Sequence, residues 1–120
     1  MLRSQMNWKH AEAALERDAL VIVPTGAIEA HGAHIPLDAD THQAEYVALR
    51  LVERLDGVVA AAIPCGIFKT FEPFAGTVSP SVPLHQELDY EIGSALIKYD
   101  IEYAPTVTAV SRPSCWERRA

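Results

Sequence analysis

The chain has 120 residues, 49% of them apolar and 22% charged, with a net charge of −6 at pH 7. That is one domain at most, ordinary in composition for a globular protein and short for a complete α/β enzyme. The negative charge argues against nucleic acid and anionic membranes as partners, and no apolar run approaches the ~18–20 residues that span a bilayer.

In chain order, Asn7 caps a first short helix from Trp8 to about residue 17, with Trp8, Ala11, Ala14 and Leu15 as its apolar stripe. Residues 19–25 are apolar and rich in β-branched side chains, the composition of a buried parallel strand. Pro24 and Gly26 are expected to end its regular pairing, since proline has no N–H to give and glycine tolerates unusual backbone angles. A second helix is predicted over residues 41–55, where Ala44, Val47, Ala48, Leu51, Val52 and Leu55 recur in i, i+3, i+4 rhythm. Asp56-Gly57 breaks it, and residues 58–63 read as a second buried strand. Strand, helix and strand of these lengths make a βαβ unit that crosses over right-handed into a parallel sheet.

Residues 64–80 form a long irregular stretch, either functional or a surface loop pinned by Phe71 and Phe74. Ser81 or Pro83 opens a further helix over residues 82–99. Its buried face is expected to be Leu84, Leu88, Ile92, Ala95, Leu96 and Tyr99, with His85 and Glu87 solvated opposite. Residues 101–110 are β-rich but hold Pro105. The opening M-L-R-S-Q-M-N-W-K-H lacks the apolar core of a secretory signal, and Cys65 and Cys115 make no disulfide framework. A reducing cytoplasm is the expected location.

The chemistry concentrates between the first strand and the second helix. Glu29, His31, His34, Asp38 and Asp40 are all side chains that bind divalent metals, and they follow the end of a parallel strand, where open α/β sheets place their sites. Glu29 and His31 are two apart and point to the same side of an extended backbone. Gly32 lets the chain turn after His31, and Asp40 returns at the mouth of the next helix. A single His or Asp in a loop is more often solvated or capping, and Asp40 with Gln43 has the spacing of a capping box. Both roles are compatible, because a capping carboxylate keeps a second oxygen free. The H-E-x-x-H helix motif is absent.

The stretch G-A-I-E-A-H-G-A-H-I-P-L-D-A-D-T closely resembles the signature of the creatininase (creatinine amidohydrolase) family, G-x-x-E-x-H-G-x-H-x-P with an Asp soon after. A second segment, F-E-P-F-A-G-T-V-S, resembles the family's F-P-G-T-[IVL]-S, with Ala75 where proline is usual. The resemblance implies an α/β, three-layer α/β/α fold with a mainly parallel sheet. It also implies a pair of divalent ions (zinc, manganese or iron) bound by Glu29, His31 and Asp40, with Asp40 bridging. His34 would orient a ligand, touch substrate, or simply stabilise the loop. The implied reaction is metal-dependent hydrolysis of a non-peptide C–N amide bond, cyclic or linear, in a homo-oligomer. No residue is assigned as general acid or base.

The family layout is followed to about Tyr103. Where an N-G-H motif is due, the chain reads A-P-T-V-T-A-V-S-R-P-S-C-W-E-R-R-A, and no histidine follows His85. Three of the seven arginines fall in the last nine residues. The expectation is therefore a front part, residues 1–103, followed by a divergent tail, residues 104–120, as after truncation or a reading-frame change. The tail beyond Pro105 is expected to pack less well. Two ions would then have two protein ligands each, where catalytic zinc sites use three and an open position. The alternative is a non-catalytic binding or assembly module that keeps the front half of the fold.

Overall fold

The run Leu20–Thr25 forms β1, one of the two inner strands of a four-stranded sheet ordered β2-β1-β3-β4. The computed structural model describes residues 5–16, 20–98, 103–108 and 115–117. β2 (Gly57–Val59) and β3 (Tyr103–Thr108) pair with β1 in parallel, and β4 (Cys115–Glu117) lies antiparallel to β3. Every residue from Val21 to Thr25 is buried, so the strand needs apolar residues on both faces rather than an alternating pattern.

Pro24 does not end this strand. Val23, Pro24 and Thr25 stay in register with Thr106, Val107 and Thr108 on one side. On the other, Pro24 accepts from Ile63 N at 2.9 Å, while the β2 ladder is interrupted at Ala61 and Ala62. Ile63 rejoins as an isolated bridge to Thr25. The second strand is thus shorter than expected but continues along β1 as far as residue 63.

Among the described residues, three α-helices cover the two faces. α1 (Trp8–Leu15) starts at Asn7, whose side chain accepts from His10 N, and α3 (Val82–Ile97) starts at Ser81, whose side chain accepts from Leu84 N. Ala14 and Leu15 of α1 and Leu96 of α3 pack with Val21, Val23, Val58, Ala60 and Ile63 on one face. Ala48 of α2 (Ala39–Val52) packs with Ile22 and Val59 on the other, flanked by Leu20, Leu49 and Val52. Side chains alternate along β1, so Val21 and Val23 serve one layer and Ile22 the other. This is the three-layer α/β/α arrangement with a mainly parallel sheet.

Two helical faces differ from expectation. On α2 only Ala44 and Ala48 are fully buried, while Val47, Leu51 and, just beyond the helix, Leu55 are exposed. On α3, His85 is buried at 8% exposure and lies on the covered stripe with Ile92, Gly93 and Leu96, whereas Leu84, Leu88 and Ala95 are exposed. The packed face is rotated by about one position from the most apolar one. Glu87 is exposed as expected. The tail is described only in part: Tyr103–Thr108 and Cys115–Glu117 are strands, while residues 109–114 and 118–120, like Tyr99, lie outside the described residues. Among the described residues no helix is long and apolar enough to cross a membrane.

Candidate metal centre

β1 delivers the chain to Gly26 at the carboxyl edge of the sheet, and the next residues form the wall of the site. Ile28 bridges Val78 of the 64–80 loop, with Val78 N donating to Ile28 O at 2.9 Å. Glu29 N donates to Leu37 O at 3.0 Å. These two bonds clamp the backbone on either side of the Ile28–Glu29 peptide. The loop folds back at Gly32, whose φ of +77° is a left-handed conformation that glycine adopts without penalty. The same holds for Gly76, at φ +88°, in the adjoining loop. That loop is tied down by Phe68 N donating to Ser79 Oγ at 2.9 Å, and its bridge from Val78 to Ile28 sets it beside the residue before Glu29.

Glu29, His31 and Asp40 come together. One donor atom from each lies within 4.8 Å of the other two. His31 Nε2 stands 3.6 Å from Glu29 Oε1 and 3.3 Å from Asp40 Oδ1. The other ring nitrogen, Nδ1, is 3.1 Å from the Glu29 carbonyl. A carbonyl can only accept, so Nδ1 carries the proton and donates, which leaves the lone pair on Nε2 facing the two carboxylates. Metal-ligating histidines are oriented by a bond of this kind.

Asp40 is the second residue of α2, inside the first turn; Asp38 occupies the N-cap and makes no side-chain capping bond. The capping-box role expected for Asp40 is therefore absent. Its carboxylate is turned toward His31, with 13% of the side-chain surface exposed. A carboxylate in the first turn is also favoured by the helix dipole.

Glu29 is 5% exposed, and its Oε2 is buried without a hydrogen-bond partner. Burial raises its pKa above the ordinary glutamate range; hydrogen bonding with Asp40 and the Asp40 charge add to this, and His31 partly offsets it. Two carboxylates held this close call for a shared proton or a cation. An imidazole nitrogen, two carboxylates and an orphaned buried oxygen suit a divalent ion of the borderline or hard class. The residues present fit such an ion.

The other candidates lie apart. His34 is exposed, its ring next to Gly32. Asp38 pairs with His42 at 3.0 Å on the outside of α2. A pair unforeseen from the sequence, buried His85 and half-buried Asp89, lies on α3 with Nδ1 and Oδ1 at 3.5 Å, and His85 Nδ1 is unsatisfied. Their i, i+4 spacing was the only local signal for it. Cys65 is a free thiol.

Comparison with known proteins points to one family. Residues 4–108 match the sequence model of the Creatininase family, described as creatinine amidohydrolase. The chain is 38% identical over 86 residues to the mycofactocin precursor peptide peptidase of Mycolicibacterium smegmatis, covering 67% of this chain and 35% of that protein. The protein of the same name from Mycobacterium tuberculosis is 32% identical over 110 residues, covering 82% and 37%. The chain thus spans little more than a third of the length of these relatives. Among solved structures, a creatininase superposes with a TM-score of 0.82 at 22% identity, covering 88% of this chain and 43% of that one. A creatininase of Zn-Zn type and a manganese creatininase superpose with the same score. At that identity the likeness is one of fold.

Proposed function

This chain belongs to the creatininase family, and we propose that Glu29, His31 and Asp40 hold divalent metal for the hydrolysis of a C–N amide bond. The observation that carries this reading is the convergence of their donor atoms within 4.8 Å, with Nε2 of His31 left free by the bond from Nδ1. A divalent cation bound there supplies Lewis-acid polarisation of an amide carbonyl and lowers the pKa of water. The chain's own part is to hold the donors. The Glu29 carbonyl fixes the His31 ring, and burial strips competing water from Glu29. The first turn of α2 presents Asp40 to His31 at 3.3 Å, and Asp40 would serve as the bridging ligand if two ions are bound. Zinc and manganese are the ions of the fold neighbours, and iron shares their donor preferences. His34, at the exposed lip, is proposed to meet substrate or to orient a ligand.

The substrate is a small non-peptide amide, cyclic or linear, in the first reading. The relatives named as precursor peptide peptidases favour a second, in which the amide is a peptide bond. Association into a homo-oligomer belongs to the same proposal, as does the division of the chain at residue 103. Among the described residues, two ions bridged by Asp40 would have two protein donors each, fewer than the three usual in catalytic zinc sites. We therefore expect this chain by itself to hold metal weakly and turn over slowly. The alternative is a non-catalytic binding or assembly module that retains the front half of the fold. Metal content after dialysis, with hydrolysis assays on creatinine, formamide and a short peptide in added zinc or manganese, separates them. Tightly retained metal with brisk turnover would refute the weak-site expectation. Equal metal content in the wild type and Glu29→Ala would refute the site.

A further inference from the structure

We propose that Gly26 and Thr41 are positioning residues of this metal centre, a close backbone contact that sets how far Asp40 stands from Glu29 and His31. The proposal rests on reading those three residues as metal ligands. Gly26 directly follows β1 and lies three residues before Glu29; Thr41 directly follows Asp40 in the first turn of α2. The two arms of the site therefore pivot where these residues meet.

They meet closely. A β-carbon added to Gly26 would lie 2.5 Å from Thr41 N and nearer still to Thr41 Cα and Oγ1. Two of those three atoms are backbone, so no rotamer change relieves the clash. On its other side Gly26 is hemmed in by the segment after β2: a β-carbon on Gly66 would lie 2.7 Å from Gly26 O. Gly26 is thus required for space, as its φ lies outside the left-handed region. A second tie joins the same two arms, with Thr41 Oγ1 donating to Ala27 O at 3.4 Å.

The consequence for the donors follows from tolerances. A methyl at Gly26 displaces the first turn of α2 by roughly 1 Å before ordinary van der Waals contact is restored. Metal–donor distances are held to within about 0.2 Å of their preferred values. The separation that spans the two arms is the 3.3 Å between His31 Nε2 and Asp40 Oδ1. It is the distance that such a shift spoils.

The test is titration of the 120-residue chain with Zn2+, read by calorimetry, and with Co2+, read by its visible absorption. Thermal unfolding of each metal-free variant is measured alongside. Gly26→Ala is expected to weaken Zn2+ binding by about 10-fold or more, the scale of supporting-residue losses at metal sites, and to alter the Co2+ spectrum. Thr41→Val, which keeps the shape and loses the hydroxyl, should weaken it several-fold, and Thr41→Ser should recover most of the loss. Ser81→Ala, which removes the cap of α3, should lower stability without changing affinity. Wild-type affinity in both Gly26→Ala and Thr41→Val overturns the positioning role while leaving the metal site standing. An equal loss in Ser81→Ala overturns it too, by reducing it to general destabilisation. Should Gly26→Ala fail to fold, the contrast of Thr41→Val with Thr41→Ser decides. A wild-type chain that binds Zn2+ no better than Glu29→Ala defeats the metal reading itself, and this proposal with it.

Discussion

His31 Nε2 lies 3.3 Å from Asp40 Oδ1, although one follows a strand end and the other is the second residue of a helix. The approach is unfavourable for a lone pair facing a carboxylate unless a proton or a cation stands between them. The first prediction follows. His31→Ala and Asp40→Ala should each lower Zn2+ affinity by more than the ~10–100-fold typical of supporting residues. His34→Ala, at an exposed position, should change it little. Equilibrium dialysis with metal analysis reads both; a larger loss from His34→Ala would reassign the ligand.

Glu29 is buried beside Asp40 with one oxygen unsatisfied, an arrangement that costs stability without a cation. Glu29→Gln keeps the shape, removes the charge and brings an amide that can donate to Asp40. At neutral pH the metal-free variant is expected to be more stable than wild type by about 1 kcal/mol, the scale of one hydrogen bond, because the amide bonds Asp40 without the proton that the carboxyl must take up. It should also lose the stabilisation that Zn2+ gives wild type. Thermal unfolding with and without Zn2+ checks both, and a destabilised metal-free variant would contradict the reading.

Gly32 turns the chain after His31 at φ +77°. A β-carbon in that conformation costs about 1–2 kcal/mol, and asparagine is better tolerated there than alanine. Denaturant unfolding should therefore rank wild type above Gly32→Asn, and Gly32→Asn above Gly32→Ala. Space does not limit the site, since a β-carbon would meet only the His34 ring, at 3.4 Å. Equal stability of the three would mean that the turn is not held in the folded chain.

Burial raises the pKa of Asp89, and His85 partly offsets the rise. A carboxyl with a raised folded pKa binds protons better folded than unfolded. Its contribution is most favourable below the ordinary aspartate value and declines as pH rises from there through the raised folded value. Above that value the cost persists. Asp89→Asn removes this dependence, so the variant should gain on wild type as pH is raised from acid to neutral. Unfolding free energies across that range decide it; a variant that loses ground to wild type as pH rises would contradict the assignment.

What the sequence determined by itself was everything carried by neighbours along the chain. The buried run at residues 20–25 and the caps at Asn7 and Ser81 are written in adjacent residues. So are the turn at Gly32 and the crossover through α2, and the pattern Glu29, His31, Asp40 was legible in the signature. Tertiary structure decided which helical face is covered. α3 is apolar around much of its circumference, so periodicity marks more than one stripe. Docking on β1 and β2 chose the stripe with His85 over the one with Leu84 and Leu88. On α2 the same competition left Val47 and Leu51 exposed and buried the small Ala44 and Ala48. Pro24 could stay paired because the neighbouring ladder is interrupted where its N–H would be missed. The contact of Gly26 with Thr41 has no local signature either. It depends on the angle at which α2 leaves the sheet, a quantity set by packing against Ile22 and Val59 rather than by any run of residues.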